Sequence, residues 1–169
     1  SSLLLEKNAW TFARRGLCKG ELDDYSGAKF DLLRAIELEP LEPIYHFQLG
    51  FYLRVMDDNF GAISAFESYL SLIESWTGDW YDLYSLYALA DAGNQEEIYQ
   101  YAEHRVRQAT RYISDTTVLG ADIVSRVYAT FGDILFEKDR LDSAKACYLR
   151  SNEVKLSAYS TERLGDICA

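Results

Sequence analysis

Two stretches decide the fold. FARRGLCK at residues 12–19 leads into DYSGAKFDLLRAIELEP at 24–40, and HFQLGFYL at 46–53 leads into DNFGAISAFESYL at 58–70. Gly16 answers to Gly50, Ala28 to Ala62 and Leu32 to Phe66, each 34 residues further on. A fixed period of this length belongs to stacked helical hairpins, because one such unit is too short to bury its apolar face alone and must lean on the next. Each unit is expected to be an antiparallel pair, helix A then helix B, meeting across a tight turn. Small residues at Gly16 and Gly50 on helix A, and at Ala28 and Ala62 on helix B, let the two backbones approach. Leu32 and Phe66 fill the space between successive hairpins. Pro40 and Pro43 are the only prolines, and they stand where the first helix B must stop before the next helix A. Asp23-Asp24 and Asp57-Asp58-Asn59 supply the short polar side chains that cap helix starts.

The rest of the chain continues the pattern less evenly. Trp80 and Leu83 open a third helix A. Gly93-Asn94-Gln95-Glu96-Glu97-Ile98 reads as its turn and the start of helix B, and Glu96–Ile113 reads as one long helix B. Ser114-Asp115-Thr116-Thr117 is the expected linker and N-cap, with the next helix A starting near Val118. A fourth unit is regular again at Tyr128, Phe131, Gly132, Leu135, Asp139, Leu141, Ala144 and Tyr148. Gly50 to Gly132 is 82 residues where two periods make 68, so about 14 extra residues belong to the third unit or its junction with the fourth. Two long helices are therefore expected to project beyond the regular stack. Leu164-Gly165 begins a fifth helix A. The expected layout is one domain with repeats at 9–42, 43–76, 79–113 and 118–156, closed by a final helix over 158–169.

This pattern resembles the tetratricopeptide repeat, whose 34-residue consensus runs aromatic, Leu-Gly, a later aromatic, Ala, Phe, Ala and Pro. Repeat 1 matches at Phe12, Gly16, Ala28, Ala35 and Pro40, with Arg15 in place of the leucine and Lys19 in place of the aromatic. Repeat 2 matches at Leu49, Gly50, Ala62 and Phe66, with Tyr69 where alanine is normal and no terminal proline. The resemblance implies an all-α fold, a right-handed superhelical solenoid of antiparallel helix pairs with about four repeats and a C-terminal capping helix. It also implies a concave groove lined by helix A. Repeat 1 would present Trp10, Ala13, Arg14, Leu17 and Gly20, and repeat 2 would present Ile44, Phe47, Gln48, Phe51 and Arg54. Repeat 3 would add Trp80, Leu83, Tyr84 and Tyr87, and repeat 4 Arg126, Ala129, Thr130 and Asp133. The first three sets make an aromatic and aliphatic floor carrying two arginines, suited to a peptide with two or three apolar anchors. Trp10, Arg14, Leu17, Phe47, Gln48, Phe51, Arg54, Trp80, Tyr84 and Tyr87 are accordingly the expected partner-binding residues.

One subgroup of that family grips the acidic C-terminal tails of heat-shock chaperones. It uses lysine and asparagine on the first helix A, asparagine on the second, and lysine and arginine on the third. Here Ala13, Leu17, Gln48, Trp80 and Tyr84 stand at those positions, and only Gln48 comes near the pattern. Chaperone tails are disfavoured as partners.

Charge points the same way. The net charge is −10, and residues 41–120 carry four basic against twelve acidic groups. An acidic middle repels a phosphate backbone and favours a partner with some basic character. Arg105, Arg107 and Arg111, with Tyr101 and Tyr112 nearby, are too few to make a nucleic-acid surface within it. No catalytic or metal constellation stands out. His46 and His104 are isolated, no cysteine pair has zinc spacing, and every glycine stands alone. His46 holds an aromatic position of helix A and reads as packing. Asp57-Asp58 and Glu96-Glu97 read as helix starts, not as acid–base pairs. No enzyme, cofactor or metal is expected. Three cysteines without paired spacing suit a reducing, cytoplasmic setting. No apolar run approaches the length of a membrane span. The chain opens on serine, as expected of a segment cut from a longer protein.

The function expected first is a non-enzymatic scaffold that binds a partner segment in the concave groove. The alternative is architectural: one section of a longer solenoid in a multi-subunit assembly, docking through Tyr101, Arg105 and Tyr112. A third is the regulatory module of an enzyme whose catalytic domain lies outside this chain.

Overall fold

The structure is a computed structural model and describes residues 8–73, 80–113 and 120–168. Among these, every regular element is an α-helix. The first four are α1 (Ala9–Glu21), α2 (Tyr25–Leu38), α3 (Pro43–Val55) and α4 (Asn59–Leu72). They are followed by α5 (Trp80–Gln95), α6 (Tyr99–Tyr112), α7 (Ala121–Glu137), α8 (Leu141–Val154) and α9 (Ala158–Cys168). The chain divides into two compact units, Ser1–Ser75 and Trp76–Ala169.

Four turns of one design join helix A to helix B. Asp23, Asp57, Glu97 and Asp139 are the non-glycine residues with positive φ, at 61°, 58°, 59° and 55°. Each amide donates to the carbonyl three residues back, as from Asp23 to Gly20 at 3.1 Å. The next amide donates five back, as from Asp24 to Lys19 at 2.9 Å. The same pair of bonds recurs at Asp57–Asp58, Glu97–Ile98 and Asp139–Arg140. This double closure satisfies the last carbonyls of helix A and reverses the chain. In the first unit a carboxylate then starts helix B. Asp24 Oδ1 accepts from the Gly27 amide at 2.9 Å, and Asp58 Oδ1 from the Gly61 amide at 3.0 Å.

The left-handed residue sets a common register. Seven residues before it stand Gly16, Gly50, Ala90 and Gly132, and five after it stand Ala28, Ala62, Ala102 and Ala144. Nine after it stand Leu32, Phe66, Val106 and Tyr148. All eight of these helix B residues are fully buried. The fit is close: a Cβ at Gly16 would lie 3.1 Å from the Ala28 carbonyl oxygen, one at Gly50 3.0 Å from the Phe66 ring, and one at Gly132 2.5 Å from the Tyr148 ring.

The third repeat departs from the sequence reading. Its turn falls at 96–98, so Glu96–Ile113 is not one long helix B. α6 has 14 residues, as α2 and α4 do. The longer helices are α5 with 16 and α7 with 17, against 13 for α1 and α3. Gly93 misleads because it looks like a turn residue but serves packing: it stays inside α5, where a Cβ would come within 2.9 Å of the Tyr101 ring. The expected linker Ser114–Thr117 and the expected helix start at Val118 lie outside the described residues.

Within the first unit, Tyr52 of α3 rests on Gly20 of α1, and its hydroxyl donates to the Leu17 carbonyl at 3.5 Å. Asp31 of α2 is fully buried between α1 side chains. It accepts from Arg15 Nε at 2.7 Å and from the terminal guanidinium nitrogen at 2.5 Å, with Lys19 Nζ at 2.9 Å. In the second unit, Glu103 of α6 gathers Arg107 at 2.6 Å, Arg140 at 3.3 Å and Lys138. α9 lays Leu164 and Ile167 on the cluster of Leu135, Ala144 and Tyr148. Polar contacts fasten it there: the Tyr148 and Tyr159 hydroxyls both donate to Asp133 at 2.7 Å, and Ser151 Oγ lies 2.9 Å from the hydroxyls of both Ser125 and Ser160.

Two stability predictions follow from these contacts. Glutamate is a poor left-handed residue, since its Cβ crowds the carbonyl and its side chain is too long to bond back locally. Glu97→Gly should therefore stabilise the protein by about 1 kcal/mol, read as a higher denaturant midpoint at constant slope. The Arg15 hydrogen bonds, with Lys19 beside them, hold the Asp31 carboxyl below its ordinary 3.8. A depressed native-state pKa adds stability above 3.8 that is lost as pH falls through the native value. The advantage of wild type over Asp31→Asn should thus be constant at neutral pH and shrink below pH 4, in urea titrations from pH 7 to pH 3.

Candidate functional site

Tyr52 of α3 touches the C-terminal part of α1 at Gly20 and Leu17, and the expected lining residues of the first unit come from these two helices. α1 opens with Asn8, whose side chain accepts from the Thr11 amide at 2.8 Å and starts the helix with Trp10 pointing outward, 63% exposed. One helical turn on, the exposed Arg14 guanidinium lies 5.8 Å from the Trp10 ring centre, within cation–π range. Leu17 is half-buried beyond it. From α3 come Phe51, 36% exposed and edge-on to Tyr52 at 5.5 Å, and Gln48, half-buried. Gln48 Oε1 is buried with no hydrogen-bond partner among the described residues. A large ring with a cation stacked on it, and a second ring, can hold apolar side chains of a bound segment.

Other expected residues are placed differently. Phe47 is not exposed groove floor: it is 5% exposed and meets Phe66 and Tyr69 of α4 edge-on at 5.7 and 5.5 Å. It stands ten residues before the turn, on the side of α3 that faces helix B. Arg54 hydrogen-bonds Asn59 at the start of α4 and so ties off the turn of repeat 2. In the second unit, Trp80 opens α5 and its side chain lies outside the described residues. Tyr84 and Tyr87 are half-buried and edge-on to each other at 5.8 Å.

Counting back from Glu97, the positions that correspond to Trp10, Arg14 and Leu17 are Tyr84, Ala88 and Asp91. The sequence reading placed repeat 3 four residues too early, close to one helical turn. In that register Tyr84 takes the place of Trp10, Asp91 takes the place of Leu17, and Leu83 is core. The missed signal was Ala102 and Val106, spaced four apart like Ala62 and Phe66.

The remaining candidates are spent on the fold. Asp133 takes the two tyrosine hydroxyls, and Arg163 Nε stands 3.4 Å from it. Arg105 lies 5.2 Å from the Tyr101 ring, and Arg107 pairs with Glu103 while covering Phe131 at 5.1 Å. The Tyr112 side chain lies outside the described residues. His46 Nε2 is 2.9 Å from the Pro40 carbonyl oxygen and anchors the interrepeat loop. No group of three or more His, Cys, Asp or Glu among the described residues is placed to hold a metal ion. No helix among them is long and apolar enough to cross a membrane.

Comparison with known proteins defines the class. The tetratricopeptide-repeat family model matches residues 125–157, the fourth repeat. Solved structures share the fold over nearly the whole chain. Residues 41 to the end of MamA from Desulfovibrio magneticus RS-1 superpose with a TM-score of 0.79 at 15% identity, over 96% of this chain and 84% of that one. YrrB, described as a TPR protein with an unusual peptide-binding site, gives 0.75 at 16% identity, over 96% and 77%. Pseudomonas aeruginosa PilF gives 0.73 at 18% identity, over 94% and 67%. Curated protein sequences give no match. Residues 125–157 match the tetratricopeptide repeat, and the chain has the fold of these tetratricopeptide-repeat structures, all-α and built of helix pairs.

Phe47 and Phe51, one turn apart on α3, should respond oppositely to truncation. Phe47→Ala should cost about 3–5 kcal/mol through the cavity it leaves. Phe51→Ala should cost less than about 1 kcal/mol. Thermal and urea melts of the two variants check this.

Proposed function

We propose that the chain is a protein-binding module that holds a partner segment on the helix A face of its first unit. The observation that carries the reading is the exposure of Trp10 with Arg14 stacked on it on α1, and of Phe51 on α3 next to Tyr52, the residue that rests on Gly20 of α1. Exposed aromatics offer large, stiff contact area at low entropic cost, and arginine adds a planar fork for a carboxylate or carbonyl oxygen. The peptide-binding site in the description of YrrB supports the same class of ligand.

The partner would bring two or three apolar anchors. It would also carry some positive charge, since residues 41–120 hold twelve acidic against four basic groups and the net charge is −10. Cys18, Cys147 and Cys168 are free thiols, which suits a reducing compartment such as the cytoplasm.

Capture from native lysate on immobilised wild type, beside Phe51→Glu and Arg14→Glu, tests the reading. A specific partner should bind wild type and fall at least about tenfold with Phe51→Glu, a loss of about 1.4 kcal/mol, while helicity and melting stay unchanged. Undiminished capture by both folded variants would remove the face from consideration.

A further inference from the structure

The positions that couple each hairpin to the one before it differ sharply between repeats. In repeat 2 they lie 12, 8, 5 and 4 residues before the left-handed residue and are Tyr45, Leu49, Tyr52 and Leu53, all buried. In repeat 4 they are Val127, Phe131, Ile134 and Leu135, again apolar and buried or half-buried. In repeat 1 the same positions hold Thr11, Arg15, Cys18 and Lys19, and the first three are exposed. Helix B changes in step: eight residues after the turn, repeat 2 has the buried Ala65 and repeat 1 has Asp31.

From this substitution of a polar set for an apolar one, we propose that repeat 1 is the closed end of the array. Its outer face is surfaced for water, and no further helical repeat stacks on it.

The geometry explains why stacking would fail there. Arg15 and Lys19 fold back from α1 onto Asp31 of α2, and the Arg15 side chain stays 54% exposed while neutralising a carboxylate that has no exposure of its own. Water on the outer side is what makes this arrangement tolerable. A hairpin laid over it would strip hydration from two cations and supply no counter-charge, which disfavours stacking. The Arg15 guanidinium also lies 5.2 Å from the Phe12 ring centre and covers apolar surface that a neighbouring repeat would otherwise use. Phe30 and Leu38 remain exposed on α2 but stand eight residues apart, about 12 Å along the helix. Asp31 and the ion-paired Arg34 fall between them, so they form no continuous apolar strip. A solenoid section flanked by repeats on both sides is incompatible with that, so partners must use the other faces.

Cys18 reports on the face directly. The full-length natural protein, held natively, is alkylated with N-ethylmaleimide, then unfolded and labelled with the isotopically heavy reagent, and the cysteine peptides are weighed. Cys18 should carry the light label almost completely. Cys147, half-buried with its thiol pushed up to about 11 by burial, should carry mostly the heavy one. Protection of Cys18 to the level of Cys147 would overturn the proposal. An independent arm gives repeat 1 the residues of repeat 2 through Arg15→Leu, Cys18→Tyr, Lys19→Leu and Asp31→Ala. By sedimentation velocity this variant should self-associate at least tenfold more tightly than wild type. A folded variant no more associated than wild type would mean that these polar groups do not close the end, and would equally overturn the proposal.

Discussion

How closely helix A can approach helix B within a repeat is the constraint on which the rest of the molecule depends. Seven residues before each left-handed turn the chain has Gly16, Gly50, Ala90 and Gly132, and opposite them helix B offers an alanine and then a large side chain one turn later. The residues trade volume. Where helix A has glycine the large partner is Leu32, Phe66 or Tyr148, and where it has Ala90 the partner shrinks to Val106. Interiors are packed to crystal density, so an added methyl on one side must be given up on the other.

The turn makes that meeting reproducible. A residue at φ near 60° with amide bonds three and five residues back fixes where helix A ends and where helix B begins. The pairing of Gly50 with Phe66 is therefore set by chain geometry before any long-range contact forms. Differences between repeats arise outside this shared frame. The first unit starts both of its B helices with an aspartate cap, whereas the second has Ile98 and Arg140 at those places with no side-chain cap bond. The second unit relies instead on ion clusters and on the seating of α9, where Asp133 takes two tyrosine hydroxyls at once.

Electrostatics divides the surface by use. Several cations of the second unit bond Glu103, Asp133 or aromatic rings, so within the basic run on α6 Arg107 pairs with Glu103 and Arg105 lies against Tyr101. In the first unit, Arg15 and Lys19 close an end while Arg14, the next residue to Arg15, stacks on an exposed tryptophan. Neighbouring residues on a helix point about 100° apart, and here that angle separates a structural arginine from one available to a partner.

The sequence by itself determined the hairpin period, the small and large residues of three of the four crossings, the aspartate caps, and the class of protein. These are local or strictly repeating features, carried by helix propensity, turn chemistry and a spacing that needs no knowledge of neighbours. Tertiary structure decided what local pattern leaves degenerate. Gly93 could be turn or packing, and only the ring of Tyr101 against it makes it packing, which moves the register of repeat 3 by one helical turn. Phe47 and Phe51 lie four residues apart and look equivalent in a helix. Phe66 and Tyr69, supplied from α4, bury the first and leave the second at the surface. Exposure is a property of what a second helix covers, and no single-helix pattern contains it.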